Sequence, residues 1–231
     1  MQLKLNKLTK AYNKNKVLDK VDFTFESGKI YGIIGRNGAG KTTLFRTINK
    51  DISIDSGNIK LDNSNLTINS IGFVESEENV PEFLTAKEFL TFFLEINKDK
   101  IKNPKTKEEY FKMIDLREED QNKIMKEYSK GMKNKVELLI NIINNPKILL
   151  LDEPLTSLDI VVQEEMKNIL KKEKKDKIIM ISTHILEIAL DLCDEIVILN
   201  NQKLELVDKK DLNTKKYKDK IIRALKESKD A

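Results

Sequence analysis

The sequence contains no run of apolar residues long enough to cross a membrane as a helix. A spanning helix needs about 20 consecutive apolar residues, whereas the longest runs here, such as Ile148–Leu151, have four or five. Residues 1–5 also lack the apolar core of a secretory signal. We therefore expect a cytosolic chain, for which any role at a membrane would come through another protein.

The chain also has only one cysteine and a small net charge. Cys193 is the only cysteine, so no internal disulfide can form, and we expect a reducing compartment and a core position for this thiol. The net charge of +4 resides in residues 201–231, which hold ten Lys or Arg and six Asp or Glu, whereas residues 1–200 hold 32 of each sign. A neutral main body argues against a nucleic-acid surface. We interpret the lysine-rich tail as a solvated helix face.

Apolar residues recur along most of the chain, in some segments with the spacing of a strand and in others with the spacing of a helix. Strands are predicted at 21–25, 30–34, 59–61, 71–74, 148–151, 178–182 and 195–199. A helix is predicted from Lys41 to about Asn49, and the segment from 85 to 145 has helical spacing with capping-box signals at Thr85–Glu88 and Thr106–Glu109. This order predicts an α/β fold with a mostly parallel sheet covered by helices, interrupted by an inserted helical subdomain.

One glycine-rich segment carries a strong binding signal. Gly35-Arg36-Asn37-Gly38-Ala39-Gly40-Lys41-Thr42 matches Gly-x-x-x-x-Gly-Lys-Ser/Thr, the P-loop, and lies between a predicted buried strand and a helix. Its backbone N–H groups and the helix N-terminus suit phosphate, Lys41 suits the β- and γ-phosphates, and Thr42 suits Mg²⁺. The alternative is a glycine-rich turn that matches the pattern by chance. Such a turn would have no reason to lie between a buried strand and a helix, as this segment does. The predicted nucleotide-binding residues are Gly35, Asn37, Gly38, Ala39, Gly40, Lys41, Thr42 and Thr43.

Two carboxylates follow the apolar strand 148–151. Asp152 suits a role on Mg²⁺ together with Thr42, and Glu153 suits polarising an attacking water. An ordinary strand that ends in a polar turn is the alternative, and it is disfavoured downstream of a P-loop. The two motifs therefore predict a P-loop NTPase, which is a very large class.

Four further segments narrow the class. They are Tyr128-Ser129-Lys130-Gly131-Met132, Leu155-Thr156-Ser157-Leu158-Asp159, Ile181-Ser182-Thr183-His184 (31 residues after Glu153) and Tyr12 (23 residues before Gly35). In this order they resemble the nucleotide-binding subunits of ABC (ATP-binding cassette) transporters, over about residues 1–210. The variant signature Tyr-Ser-Lys-Gly-Met-Lys most resembles that of bacterial exporters whose membrane partner is a separate polypeptide.

The resemblance implies roles for these residues. Tyr12 would stack on adenine, Ser129 and Gly131 would contact the γ-phosphate held by a second copy, Asp159 would lie at the seam between copies, and His184 would sense the γ-phosphate. Taken alone, Tyr12 is an ordinary half-exposed aromatic, His184 a polar turn residue, and Ser129 a helix N-cap.

The resemblance also implies an architecture and partners. The chain would be one ABC ATPase domain with a RecA-like core and an N-terminal antiparallel β subdomain (1–80 and 146–210), a helical subdomain (81–145) and a C-terminal helix (211–231). It would bind ATP and Mg²⁺, form a homodimer or a heterodimer with a related subunit, and drive an integral membrane permease from the inner face of the cell membrane, with no nucleic acid. The alternatives are a soluble ABC-type ATPase acting on ribosomes or nucleic acid, and a regulatory module that does not hydrolyse ATP.

The sequence departs from the family pattern in two places. Lys130 and Met132 replace a Gly and a Gln of the usual signature. After the strand 71–74, where the family usually has a Gln, Ser76 occupies the slot and Glu75 and Glu77 lie one step away. We leave open which of the three fills that role.

By the same resemblance, a cytoplasmic helix of the membrane subunit would contact a groove near residues 73–95. The acidic run Glu75–Glu82 and the aromatics Phe83, Phe89, Phe92 and Phe93 are candidates for this surface. The alternative is that these phenylalanines are simply core.

Overall fold

The computed structural model describes residues 1–207. The predicted C-terminal helix 211–231, with the lysine-rich tail, lies outside the described residues. Within residues 1–207, every helix is too short or too polar to span a lipid bilayer.

The N-terminal part of the chain forms an antiparallel sheet. It contains β1 (Gln2–Tyr12), β2 (Asn15–Glu26), β4 (Ser56–Leu61) and β5 (Ser64–Asn65), in the order β2-β1-β4-β5. Leu3 and Leu5 of β1 are fully buried, since side chains of a strand alternate between its two faces. An irregularity between Leu5 and Leu8, where Lys7 has φ +48°, returns Leu8 to the buried face. The predicted strands 21–25 and 59–61 are parts of β2 and β4.

A six-stranded sheet forms the centre, in the order β10-β9-β3-β8-β7-β6. All its pairings are parallel except that of β9 with β10. The strands are β3 (Lys29–Ile34), β6 (Ile71–Val74), β7 (Ile148–Asp152), β8 (Ile178–Thr183), β9 (Glu195–Asn200) and β10 (Lys203–Val207). Every residue of β7 and β8 is buried, as expected for parallel strands covered on both faces. The α/β fold class predicted from the sequence is confirmed.

Seven α-helices accompany these strands within residues 1–207. They are α1 (Lys41–Asn49), α2 (Ala86–Ile96), α3 (Lys107–Met113), α4 (Glu118–Gln121), α5 (Lys130–Ile143), α6 (Ile160–Glu173) and α7 (Leu186–Leu192). Both predicted capping boxes are present, at the starts of α2 and α3. Ser129 caps α5 by accepting a hydrogen bond from the Met132 N–H at 3.3 Å. The helices α2–α5 occupy the segment predicted as an inserted helical subdomain, and the division into subdomains stays a prediction.

Two hydrophobic clusters hold the layers together. One packs the central sheet against helices such as α2, α5 and α6, and the other lies between the two sheets and α1. Cys193 is a core residue as expected. Of the four phenylalanines considered as partner surface or core, Phe93 is buried and Phe89 is half-buried, whereas Phe83 and Phe92 are 80% and 56% exposed. The interpretation that all four are core is therefore wrong for Phe83 and Phe92.

Candidate functional site

The site forms where three neighbouring strands end. In the order β3-β8-β7, Ile34 lies opposite Thr183, and Asp152 lies opposite Ser182. The P-loop follows β3, His184 follows β8, and Glu153 follows β7. Parallel strands place their carboxyl ends at one edge of the sheet, where α/β proteins bind ligands. Residues from three distant parts of the sequence thus meet at one edge.

The P-loop conformation requires glycine. Gly38 and Gly40 have φ angles of +80° and +103°, which other residues adopt only with strain. A Cβ on Gly40 would also lie 2.5 Å from Cγ1 of Val17. The loop leads directly into α1, which begins at Lys41, so residues of the loop and of the helix N-terminus line one cavity.

This cavity has a volume of about 340 Å³ and brings together most of the predicted nucleotide residues. It is lined by Tyr12, Val17, Asn37, Gly38, Gly40, Lys41, Thr42, Thr43, Ser76, Asp152 and Glu153. Gly35 and Ala39 contribute to the loop without lining the cavity, and the Gly35 carbonyl accepts a hydrogen bond from Lys41 Nζ at 2.8 Å.

Lys41 is a nearly buried cation at the wall of this cavity. Its side chain is 7% exposed, and Nζ lies 3.6 Å from Oε1 of Glu153. Nζ also donates to the carbonyl of Arg36 at 3.3 Å. A buried ammonium group held only by carbonyls and one carboxylate can transfer its hydrogen bonds to phosphate oxygens.

Thr42 and Asp152 fit a magnesium site. Thr42 Oγ1 donates to Asp152 Oδ2 at 2.6 Å, and Ser182 Oγ donates to Asp152 Oδ1. Magnesium in ATPase sites takes one or two protein oxygens and completes its shell with phosphates and water. A hydroxyl and a buried carboxylate in contact satisfy this requirement, although residues 1–207 contain no cluster of three metal-ligating side chains.

Glu153 is held by three side-chain contacts. His184 Nδ1 lies 3.0 Å from both carboxylate oxygens, Thr156 Oγ1 donates to Oε2 at 2.8 Å, and Lys41 is the third partner. The backbone of Glu153 has φ +52°, a left-handed conformation that is strained for this residue type and is enriched at functional sites. A carboxylate fixed beside a phosphate cavity can accept a proton from a water molecule.

The residue that faces the cavity after β6 is Ser76. Glu75 instead turns to Arg46 of α1, with 2.9 Å between Oε1 and Nη2, and Glu77 is exposed. Of the three candidates for the family's Gln slot, only Ser76 lines the nucleotide cavity. Tyr12 also lines the cavity and is 46% exposed, and Lys10 Nζ lies 5.2 Å from the centroid of its ring.

The remaining predicted residues form a second group away from this cavity. Ser129 caps α5, and Asp159 caps α6 by accepting a hydrogen bond from the Val162 N–H at 3.0 Å. A Cβ on Gly131 would lie 2.8 Å from Cγ1 of Val162, so only glycine allows this approach. Ser129, Gly131 and Asp159 therefore cluster around two adjoining helix N-termini, and none of them lines the nucleotide cavity.

Sequence reasoning missed three residues of the site. Ser182 donates a hydrogen bond to Asp152 and accepts one from the Glu153 N–H at 3.0 Å. Thr156 donates a hydrogen bond to Glu153, and Val17 lines the cavity beside the P-loop. Thr156 follows Glu153 by one turn, so local spacing was a usable signal. Ser182 and Val17 reach the site through strand pairing and sheet packing, which no local pattern encodes.

Comparisons with known proteins identify the family. A family model described as ABC transporter matches residues 18–156. An uncharacterized ABC transporter ATP-binding protein of Methanocaldococcus jannaschii is 34% identical over 210 residues, 87% of this chain and 75% of that protein. The lantibiotic transport ATP-binding protein SrtF of Streptococcus pyogenes is 32% identical over 211 residues, 88% of this chain and 89% of that protein. A solved dimeric ATP-binding cassette in a post-hydrolysis state, bound to ADP and Pi, has a TM-score of 0.74 and 26% identity over 88% of this chain and 96% of that one.

The fold and the site together define a P-loop NTPase. With the matches above, the chain belongs to the ABC transporter family as an ATP-binding subunit, and it is an ATPase. The resemblance found in the sequence is therefore confirmed at the level of the family.

Proposed function

We propose that the chain hydrolyses Mg-ATP in a dimer in which each nucleotide lies between the P-loop cavity of one copy and Ser129 and Gly131 of the other. The separation of these residues from the cavity within one chain supports this arrangement. The observation that carries the catalytic assignment is the position of Glu153, whose backbone is left-handed and whose carboxylate is held by His184 and Thr156 beside Lys41.

Each residue then has a defined task. The P-loop N–H groups and Lys41 bind phosphate oxygens, and Tyr12 provides a surface for the base. Thr42 and Asp152 would hold Mg²⁺, which when bound supplies positive charge against the phosphate oxygens. Glu153 orients a water molecule and accepts its proton, and His184 keeps the carboxylate in place through Nδ1.

The coupling of this reaction to transport is also part of the proposal. We propose that the dimer, made of two copies or of this chain and a related subunit, acts at the inner face of the cell membrane on a separate permease, without nucleic acid. Asp159 would lie at the dimer seam. An export direction is supported by the signature variant Ser129-Lys130-Gly131-Met132 and by the similarity to a lantibiotic transport ATP-binding protein.

Glu153→Gln tests the mechanism because it keeps the shape of the side chain and removes its charge and basicity. Phosphate release and ATP-dependent dimerisation would be measured together for the wild type, Glu153→Gln and the control Glu95→Gln, an exposed position of α2. We expect release to fall by about 10²–10⁴-fold, the usual contribution of a general base, while ATP traps the variant as a dimer. Glu95→Gln should match the wild type.

Two outcomes would contradict the proposal. If wild type and Glu153→Gln hydrolyse ATP equally, Glu153 is not the catalytic carboxylate. If both remain monomeric during turnover, the sandwich dimer is wrong. A wild type that binds ATP without releasing phosphate would favour the non-hydrolysing regulatory module.

A further inference from the structure

The loop between β6 and α2, residues 75–85, lies against one face of α5. Lys130 Nζ is 3.8 Å from Glu78 Oε1, and Lys133 Nζ donates to Glu82 Oε1 at 2.7 Å. Glu137 follows at the next turn of the same helix face. The loop that begins at the nucleotide cavity with Ser76 is thus joined along its length to the helix that Ser129 caps.

Glu137 is an unusual residue in this contact because it is an acid that is only 8% exposed. Glu137 shares a cavity wall with Glu75 and Asn79. The backbone N–H groups of these two residues favour the charged form of the carboxyl, but Oε2 is buried without a hydrogen-bond partner. Burial, the largest influence, raises the pKa of Glu137 to about 7, and the charges of Glu75 and Glu78 act in the same direction. Burial of a carboxyl is costly unless the group is hydrogen-bonded or neutralised, so the loop N–H groups that face Glu137 offset part of this cost.

The surroundings of Glu137 offer few other partners. Beside it lies a cavity of about 320 Å³, lined by Arg46, Asn49, Asp51, Phe73, Glu75, Asn79 and Glu137. Arg46 is engaged by Glu75, and the Asp51 carboxylate accepts hydrogen bonds from the Asn49 side chain. The backbone of the loop is therefore what the Glu137 carboxyl can hold.

We infer that Glu137 is a positioning residue that binds the backbone at Asn79 and Glu75 and so keeps Ser76 at the nucleotide cavity. Because Glu137 and Ser129 belong to one helix, the same contact ties the phosphate end of the cavity to the signature residues. The inference rests on the proposed function only where it concerns catalysis, since the contact between Glu137 and the loop 75–85 can be measured without ATP.

Amide hydrogen exchange tests the contact between Glu137 and the loop backbone directly. Glu137→Met keeps an unbranched side chain of similar length and removes both acceptors, whereas Glu137→Gln retains a carbonyl oxygen. In Glu137→Met we expect the amides of Asn79 and Glu75 to exchange about tenfold faster or more, because the acceptor oxygens that face these N–H groups are removed. Glu137→Gln should restore most of the protection, and the matched exposed control Glu95→Met should leave it unchanged.

Kinetics tests the consequence for catalysis. The P-loop is untouched, so KM for ATP should change less than about twofold, whereas kcat should fall about tenfold in Glu137→Met, since small misplacements near reacting groups are costly. Unchanged exchange at both amides would overturn the inference. A fall in kcat that accompanies a loss of global urea stability would also overturn it, because that pattern marks a merely structural residue. Failure of the proposed function would appear separately, as an active Glu153→Gln.

Discussion

Replacing Glu137 by glutamine measures how strongly the fold opposes a charge at this position. Burial raises the pKa of Glu137 from 4.5 to about 7. The folded chain therefore holds this proton more tightly than the unfolded chain, so the stability contributed by the group is fully present below about pH 4.5 and is lost as the pH rises through 7. One pKa unit corresponds to about 1.4 kcal/mol, so the whole shift corresponds to at most about 3 kcal/mol.

Glu137→Gln carries a neutral side chain at every pH. Its free energy of unfolding relative to wild type should therefore increase between pH 5 and pH 8, by up to about 3 kcal/mol. Urea unfolding followed by far-UV circular dichroism at several pH values measures the difference, and this probe suits a chain with no tryptophan.

A control with the opposite sign is available in α2. The Thr85 backbone N–H holds the pKa of Glu88 below its ordinary value, so the stability contributed by that carboxylate is present above pH 4.5 and is lost as the pH falls. Glu88→Gln should therefore lose stability relative to wild type as the pH rises. Parallel pH curves for wild type and Glu137→Gln would refute the reasoning on burial, and a loss of stability at pH 8 would show that the contacts to the loop N–H groups outweigh it.

Three further predictions concern single contacts. Asp159→Ala removes the cap of α6 and should lower the free energy of unfolding by about 1 kcal/mol, measured by urea unfolding, with Asp159→Asn close to wild type. Gly40→Ala meets Val17 at 2.5 Å and should abolish ATP binding in calorimetry, whereas Gly38→Ala, with nothing within 4 Å of its Cβ, should weaken it less; equal affinities would contradict this. Leu150→Ala empties a fully buried position between the two sheets and should cost about 2–5 kcal/mol, which a shift of the urea midpoint would reveal.

Several parts of the fold were predictable because they depend on neighbours in sequence. The apolar strands 148–151 and 178–182 appear with small changes of bounds, and the capping boxes at Thr85 and Thr106 form as expected. The strands β1 and β10 and the helices α4, α6 and α7 were not predicted individually. These elements are short or have a polar outer face, so tertiary packing, more than local periodicity, stabilises them.

The slot after β6 shows the limit of sequence alignment. Sequence alone left Ser76, Glu75 and Glu77 as candidates. The ion pair of Glu75 with Arg46, 29 residues away, turns Glu75 from the nucleotide cavity and leaves Ser76 at its wall. This choice depends on how α1 packs beside β6, which no local pattern reports.

The sequence by itself determined the phosphate-binding loop, the two carboxylates at the end of β7 and the class of enzyme, because each signal is a contiguous run whose backbone and side chains act together. Tertiary structure alone decided which distant groups support them. Ser182 reaches Asp152 because β8 pairs with β7, Val17 closes on Gly40 because the antiparallel sheet packs on the P-loop, and Glu137 is buried because the loop 75–85 covers α5. These contacts join residues far apart in the chain, and they exist only once the strand order and the packing of the layers have been set.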